Sequence, residues 1–293
     1  MKYRGVRWPA DEPSLRALFA AAAAVDGRPP LSEHKALRSL PPAVTDIGVV
    51  GMADGGVAAY AHASAHPGGW GIEAVVCPDQ RRLDVYIGLI ARTISMLPPG
   101  APYGLWAIGP TVAEAAQRIG LVQRRALHQL RRPLPGPVGE VPAGFDIQAF
   151  RPGVDEEAFL NVNNVAFAGH PENAQMTDED LALRMRQPWF DPDGILLAWR
   201  NESLAGFCWM KLHDAHVAEI YIIGVHPGMR GHGLGTALAL LGLDYANGKG
   251  ASVGMLYVEA DNAAGLGLYA SLGFEIHLTN HMYGPAESKT QRS

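Results

Sequence analysis

The chain has 293 residues, of which 48% are hydrophobic and 18% charged, so it can bury two cores of domain size and is not a disordered protein. Its 24 Lys and Arg residues against 29 Asp and Glu residues give a net charge of −5, and without a basic stripe we expect no nucleic-acid partner. Residues 1–14 lack the pattern of a signal peptide, and no apolar run approaches the roughly 20 residues of a membrane span. We therefore expect a cytoplasmic protein with no membrane contact.

In the first half, a strand is predicted to end at the motif Val-x-Pro of residues 76–78, and residues 105–121 read as a strand, a turn and a helix. Residues 131–146 then hold four prolines and three glycines, which disfavour helix and indicate a linker. We predict an N-terminal domain over residues 1–135, a linker over 136–145 and a second domain over 146–293.

In the second half, apolar periodicity predicts strands that alternate with helices towards the end of the chain. The predicted helices cover residues 155–169, 234–250 and 262–273. The predicted strands cover residues 194–200, 204–213, 218–225, 251–260 and 274–283. This order is typical of the α+β class, with helices over a mixed sheet.

The two halves resemble each other at a spacing of about 150 residues. Residues 74–78, with the sequence AVVCP, correspond to residues 223–227, with the sequence IGVHP. Residues 105–121 correspond to residues 256–274, and both read as a strand, a turn, a helix of small residues and an apolar-Gly-apolar exit. A duplicated unit is the simplest explanation.

Metal and disulfide chemistry are not indicated by the sequence. Cys77 and Cys208 are the two cysteines, far apart and without a CxxC spacing, and the eleven histidines form no HExxH pair. We predict no metal and no disulfide, and we expect both cysteines to be packing residues.

The segment VHPGMRGHGLGTAL, residues 225–238, places four glycines between a predicted strand and a predicted helix. Such a turn directs backbone amides and the positive end of the helix dipole at one point, which favours a phosphate group. The spacing of the P-loop is absent because no lysine precedes Thr236, and Thr236 also stands where the dinucleotide fingerprint needs its third glycine.

Val-x-Pro followed by RGHGLG and a helix resembles the acetyl-CoA loop of the GNAT acetyltransferases. Asn262 and Tyr269 fall in a segment similar to a later element of that family. The resemblance implies two tandem GNAT domains, each with a mixed, mostly antiparallel sheet flanked by helices, and acetyl-CoA as cosubstrate. It implies cofactor contacts at Ile223, Gly224, Val225, Arg230, Gly231, His232, Gly233, Leu234, Gly235, Thr236, Asn262, Ala263, Ala264, Gly265, Leu266 and Gly267.

Acetyl transfer needs a neutral amine, a polarised thioester carbonyl and a proton for the departing thiolate. We expect Glu219 to be the base, because it lies six residues before Val225 on the cofactor strand; the alternative is a carboxylate that faces water. The resemblance implies that Tyr269 is the general acid, whereas its sequence context alone is more typical of core packing. We expect the amide of Val225 to bind the thioester oxygen.

Segments in both halves resemble a narrower group of tandem acetyltransferases, which acetylate the cysteinyl amine of Cys-GlcN-inositol in the last step of mycothiol biosynthesis. These segments include residues 24–33, 162–172 and 189–199. The resemblance implies a substrate site formed by Glu33, Glu172, Lys211, Glu219 and Tyr257, with Glu33 supplied by the first domain.

The first half departs from the family pattern where the phosphate loop should lie. Leu83, Asp84 and Val85 replace the glycines, and Asp84 would repel an anion. We expect this half to bind acetyl-CoA poorly or not at all and to have a structural role.

Other interpretations of the sequence stay open. A tandem acetyltransferase acting on a protein N-terminus, an amino acid or an aminoglycoside keeps the fold and changes the acceptor. A non-catalytic acetyl-CoA sensor is the alternative from another class, and a generic nucleotide-binding protein is less consistent with the missing Walker lysine. We expect a monomer.

Overall fold

A computed structural model of the chain describes residues 1–40, 43–168, 176–213 and 216–286. These residues form two compact units. Unit 1 contains residues 1–126 and 280–286, and unit 2 contains residues 127–279. Over the described ranges, no helix is long and apolar enough to span a bilayer.

Unit 1 is a sheet with helices on both faces. Its strands are β1 (Lys2–Gly5), β2 (Ile47–Ala53), β3 (Gly56–His66), β4 (Gly69–Val76) and β5 (Tyr103–Ala107), together with the first part of β6 (Leu121–Pro133) and the last part of β12 (Glu275–Pro285). Its helices are α1 (Glu12–Asp26), α2 (Glu33–Ser39), α3 (Leu83–Ile94) and α4 (Pro110–Arg118). The strand order is β1-β2-β3-β4-β5-β12, antiparallel except for the parallel pair β4 and β5.

Two apolar clusters hold unit 1 together, one on each face of its sheet. Leu89 and Ile90 of α3 and Ala115 of α4 pack with Val49 and Ile72 on one face. On the other face, α1 buries Leu15, Leu18 and Ala22 against Val50, Tyr60 and Val75. The 3.6-residue spacing of apolar residues in α1 and α3 produces these buried stripes.

Unit 2 has the same kind of architecture. Its strands are the second part of β6, then β7 (Asp146–Ala149), β8 (Ile195–Arg200), β9 (Ser203–Leu212), β10 (Val217–Val225), β11 (Val253–Glu259) and the first part of β12. Its helices are α5 (Glu156–Ala166), α6 (Asp178–Met185), α7 (Leu234–Gly248) and α8 (Ala263–Ser271). The strand order is β6-β11-β10-β9-β8-β7, and β10 and β11 are the parallel pair.

Each face of the unit 2 sheet has its own core. We call the face under α7 the α7 face; it buries Cys208, Met210, Leu238 and Leu243. The face under α5 and α6, which we call the α5 face, is built around Phe159, Phe207 and Trp209. Helix α7 is apolar around most of its circumference, so it is largely buried rather than half exposed.

The predicted α+β class and the mixed, mostly antiparallel sheets are confirmed. The domain limits 1–135, 136–145 and 146–293 stay a prediction. The two compact units divide the chain after Ala126 and after Thr279, within strands β6 and β12. Residues 136–145, the expected linker, contain no helix or strand.

The internal repeat also has a structural counterpart in each unit. A parallel strand is followed by Val-x-Pro and a short 3-10 turn, at Pro78–Gln80 in unit 1 and at Pro227–Met229 in unit 2. The residues before these prolines have the same backbone conformation, with φ −52 and ψ 134 at Cys77 and φ −52 and ψ 132 at His226.

Candidate active site

The candidate site of unit 2 is an opening between the parallel strands β10 and β11. Their ladder covers Val217–Glu219 on β10 and ends with the pair Glu219 and Met255. Beyond that pair, β10 stays bonded to β9 as far as Val225, and β11 stays bonded to β6 as far as Glu259. The two strands therefore separate from each other while each keeps its outer neighbour.

A β-bulge on β10 lies just after the end of that ladder. Ile220 pairs with Met210 and Ile222 pairs with Trp209, so Tyr221 is the extra residue. A bulge bends its strand and increases the local twist. The bulge therefore explains why β10 leaves β11 at this point.

The main chain of β10 presents some of its polar groups to the opening. The amide of His226 donates a hydrogen bond to the carbonyl of Ala205 on the β9 side, at 2.8 Å. Because polar groups alternate along an antiparallel ladder, those of Gly224 point towards β9 and those of Ile223 and Val225 point away from it. The main-chain groups of Ile223 and Val225 thus face the opening and those of Gly224 do not; the expected contacts of all three with the cofactor stay predictions.

The glycine-rich turn lies directly after the opening. Gly231 has φ +83 and Gly233 has φ +74, a region that residues with a side chain rarely adopt. Gly233 is the N-cap of α7, which begins at Leu234. The first amides of a helix have no partner inside it, so the amides near Gly235 and Thr236 are oriented to bind an anion.

Two side chains of the turn contact main-chain carbonyl groups, one in helix α5 and one in the turn itself. Arg230 donates from Nη2 to the carbonyl of Ala166 at 3.4 Å, at the end of α5. His232 Nδ1 lies 3.1 Å from the carbonyl oxygen of Arg230, and its ring contacts Phe145 edge-on. The cofactor contacts expected of Arg230 and His232 stay predictions.

Asn262 begins helix α8. Its Oδ1 accepts a hydrogen bond from the amide of Gly265 at 2.9 Å, so this side chain caps the helix. Ala263, Ala264, Leu266 and Gly267 follow in the same helix. Their expected contacts with the cofactor stay predictions, and the capping role explains locally why asparagine stands at position 262.

Tyr269 of α8 lies in the core on the α7 face. Its side chain is 9% exposed, and its ring contacts Phe274 edge-on at a centroid distance of 5.9 Å. Burial, and to a smaller extent the neighbouring thiol of Cys208, raises the pKa of Tyr269 to about 12. The phenol therefore keeps its proton over the whole physiological pH range, as a proton donor must.

Glu219 lies on the α5 face. It is flanked by Ala218 and Ile220, which belong to the α7 core, so alternation along the strand directs its side chain to the opposite face. Its Oε2 is 2.6 Å from Nε2 of His213, and the carboxylate is mostly buried. The carboxylate is therefore turned away from bulk water, and the role of Glu219 as the base stays a prediction.

Lys211 is directly opposite Glu219 in the ladder between β9 and β10. Its Nζ lies 4.4 Å from the ring centre of Trp189 and 5.3 Å from that of Tyr221, and the side chain is buried. Aromatic faces stabilise a buried ammonium group through cation–π contacts. The structure thus brings Lys211 and Glu219 to the same face, beside the bulge.

Tyr257 lies on β11 and belongs to a hydrogen-bonded row that the sequence analysis did not find. Its hydroxyl accepts a hydrogen bond from Nε2 of Gln129 at 2.6 Å, and Oε1 of Gln129 accepts one from Nε of Arg131 at 2.9 Å. Gln129 pairs with Tyr257 across the ladder of β6 and β11, so all three side chains share one face. No local motif marks Gln129 and Arg131, because only the strand pairing brings them to Tyr257.

The two remaining predicted substrate residues are Glu172 and Glu33. Glu172 lies outside the described residues. Glu33 is the first residue of α2 in unit 1, next to a buried ion pair in which Nζ of Lys35 is 3.3 Å from Oε1 of Glu73. Ser32 donates its amide to Glu73 at 2.7 Å, which fixes the start of α2.

In the described part of the chain, no group of three or more His, Cys, Asp or Glu residues is arranged to hold a metal ion. Cys77 and Cys208 are free thiols. Burial raises the pKa of Cys208 to about 12, so this thiol stays protonated and packs in the core as expected. The absence of a resident metal stays a prediction.

The separated parallel strands, the bulge and the glycine turn at a helix start define the acetyl-CoA-binding arrangement of an acetyltransferase. Residues 160–274 match the Acetyltransferase (GNAT) family. The chain is 42% identical over 275 residues to the mycothiol acetyltransferase of Thermomonospora curvata, covering 91% of each chain. It is 40% identical over 288 residues to that of Thermobispora bispora, covering 94% of this chain and 96% of the relative.

Solved structures agree on the fold. A GCN5-related N-acetyltransferase from Sphaerobacter thermophilus superimposes with a TM-score of 0.70 at 23% identity, covering 97% of this chain and 94% of that one. A tandem GNAT protein from the clavulanic acid biosynthesis pathway gives 0.67 at 18% identity, covering 98% and 99%. The chain is an acetyltransferase, and it belongs to the mycothiol acetyltransferase family.

Proposed function

We propose that the enzyme transfers the acetyl group of acetyl-CoA to the cysteinyl amine of Cys-GlcN-inositol, which gives mycothiol and CoA. The observation that carries this proposal is the similarity to mycothiol acetyltransferases along more than nine-tenths of the chain. The polar groups beside the opening support it, because a cationic acceptor rich in hydroxyl groups needs carboxylates and hydrogen-bond donors.

Acetyl-CoA binds in the opening of unit 2. The amides of its pantetheine arm pair with the outward main-chain groups of Ile223 and Val225, while the missing side chain of Gly224 makes room for Phe207 and Ala166. The pyrophosphate is bound by the amides of residues 231–236 and by Arg230. Several such contacts are needed, because each charge–dipole contact contributes only about 0.3–1 kcal/mol.

Glu219 removes the proton from the acceptor amine. An α-amino group has a pKa near ~7.7–8, so roughly a tenth or more is neutral at neutral pH, and a modest base is sufficient. The neutral nitrogen attacks the thioester carbonyl, and the amide of Val225 binds the oxygen on which negative charge develops.

Tyr269 completes the reaction. When the carbon–sulfur bond breaks, the phenol gives its proton to the thiolate of CoA and the new carbon–nitrogen bond remains in the product. The second proton lost by the nitrogen passes through water to the phenolate and restores Tyr269. The burial that keeps Tyr269 protonated supports this role.

Lys211 and Tyr257 bind the polar parts of the acceptor. Tyr257 is 41% exposed and its hydroxyl is oriented by Gln129, which supports a contact with a substrate hydroxyl. Glu33 and Glu172 stay predictions of the sequence resemblance, as do the monomeric state and the cytoplasmic location.

The experiment that tests the function is release of CoA from acetyl-CoA with a panel of amines. Cys-GlcN-inositol is compared with a peptide N-terminus, free amino acids and an aminoglycoside. We expect the highest kcat/KM for Cys-GlcN-inositol. Faster release with another amine would overturn the acceptor, and binding of acetyl-CoA with no release on any amine would indicate a sensor.

A further inference from the structure

His213, which follows β9, contacts the proposed base and has no role in the mechanism so far. Its Nε2 is 2.6 Å from Oε2 of Glu219. The imidazole is 30% exposed and the carboxylate 11% exposed, so the pair extends from the buried base towards solvent.

The strand pairing builds this contact. The amide of His213 donates to the carbonyl of Val217 at 3.0 Å, which continues the ladder of β9 and β10 beyond Leu212. Because side chains alternate along a strand, His213 lies on the same face as Lys211 and diagonally opposite Glu219. The two side chains are therefore brought together by the backbone register as well as by their own hydrogen bond.

The chemistry of the pair fixes the direction of the hydrogen bond. An ionised carboxylate only accepts, so Nε2 of His213 carries the proton and donates it to Oε2. A hydrogen bond to a charged group holds one oxygen in place, and the other oxygen of Glu219 is left to take a proton from the acceptor.

We propose that His213 is a positioning residue for acetyl transfer: it holds the carboxylate of Glu219 in the orientation that accepts the amine proton. This inference rests on the proposed role of Glu219. The proton leaves the acceptor nitrogen, forms an O–H bond on Glu219 and later passes to water, so no further reactant is required.

Two polar residues lie beside this pair. Lys211 of β9 is directly opposite Glu219, and its Nζ lies 5.3 Å from the ring centre of Tyr221 of β10. Arg184 of α6 donates from Nε to the hydroxyl of Tyr221 at 2.8 Å. A change at His213 therefore leaves the hydrogen bonds of these groups in place.

The test compares His213→Leu with His213→Gln, whose amide N–H reaches about as far as Nε2. The full chain is assayed with acetyl-CoA and Cys-GlcN-inositol, and His216→Leu on the same connection is the control. We expect His213→Leu to lower kcat roughly ten- to hundred-fold, as loss of a hydrogen bond to a charged group would. The KM for Cys-GlcN-inositol and the Kd for acetyl-CoA change little, and His213→Gln restores most of the rate.

Glu219→Gln separates failure of this inference from failure of the proposed base. If Glu219→Gln is inactive while His213→Leu keeps the wild-type rate, the inference about His213 is wrong and the base stands. If Glu219→Gln is fully active, the proposed base is wrong and the role of His213 with it. A rate loss in His213→Leu that His213→Gln shares, or an effect confined to KM, would indicate a purely structural residue and overturn the proposal.

Discussion

Glu219 and Tyr269 lie on opposite faces of the unit 2 sheet. Glu219 is beside Lys211 on the α5 face, whereas Tyr269 belongs to the core on the α7 face with Cys208 and Ile223. The opening between β10 and β11 begins at Glu219 and connects the two faces. An acceptor amine can thus approach the thioester carbon from one face while the sulfur departs towards the other, which keeps the proposed base and the proposed acid apart.

Tyr269→Phe keeps the buried ring and removes only the hydroxyl. We expect kcat to fall roughly hundred-fold, as is typical for loss of a general acid, with an unchanged Kd for acetyl-CoA. Tyr245→Phe is the matched control, because the hydroxyl of Tyr245 donates to Asp191 at 2.6 Å and not to the site. Steady-state kinetics and calorimetry measure both effects, and equal loss of cofactor binding in Tyr269→Phe would contradict the assigned role.

The same tyrosine affects stability at alkaline pH. Its pKa is raised from 10 to about 12 in the folded chain, so between these values the unfolded chain releases the proton and the folded chain keeps it. Fewer protons are then bound in the unfolded state, and the free energy of unfolding falls as pH rises through this window. Tyr269→Phe should show a smaller alkaline loss in denaturant unfolding than the wild type, and an identical loss would be inconsistent with the raised pKa.

Gly233→Val tests the turn that binds the pyrophosphate. At φ +74 a β-branched residue is strained by roughly 1–2 kcal/mol, and its side chain stands among the amides that bind the anion. We expect calorimetry to detect no acetyl-CoA binding and the free energy of unfolding to fall by about that amount. Gly248→Ala, at the other end of α7, meets no atom within 4 Å and should bind normally. Retained binding in Gly233→Val would place the pyrophosphate elsewhere.

Gln129→Leu tests the row beside the acceptor. It removes the donor that orients the hydroxyl of Tyr257, so we expect the KM for Cys-GlcN-inositol to rise about tenfold with little change in the KM for acetyl-CoA. Gln148→Leu is the control, since Gln148 donates to Asp146 on the exposed strand β7. A rise in the KM for acetyl-CoA alone would show that this row serves the cofactor instead.

Calorimetric titration with acetyl-CoA should give one site per chain. In unit 2, four residues separate the 3-10 turn from α7, whereas in unit 1 only Arg81 and Arg82 separate it from α3. Nη1 of Arg81 forms an ion pair with Oδ1 of Asp26 at 2.7 Å, and Asp84 lies in the first turn of α3. A cavity of about 260 Å³ at this place is below the usual size of a ligand pocket. Two tight sites would overturn this expectation.

Local sequence patterns were sufficient for most of the elements of the second half. The alternation in β10 and the apolar length of α7 placed both within two residues of their observed limits. Helix α6 was missed because it is short, although Thr177 and Asp180 form a capping box that signals its start. Strand β7, with four residues, carries too little periodicity to be recognised.

The site itself was only partly predictable. Glycine spacing indicated the anion-binding turn, but the contact of His213 with Glu219 depends on the register of β9 and β10. That register includes a bulge at Tyr221, which a sequence pattern does not reveal. In the same way, Gln129 reaches Tyr257 from a strand 128 residues away. Such contacts follow from strand pairing, which is long-range information.

The most direct test of the account is to identify the product formed from acetyl-CoA and Cys-GlcN-inositol by mass spectrometry, with titration of its thiol. We predict one acetyl group on the cysteinyl nitrogen, a thiol that still reacts with a thiol reagent, and one CoA released for each molecule of product. Release of CoA without this product, or an acetyl group found on the sulfur with a free amine, would contradict the proposed reaction.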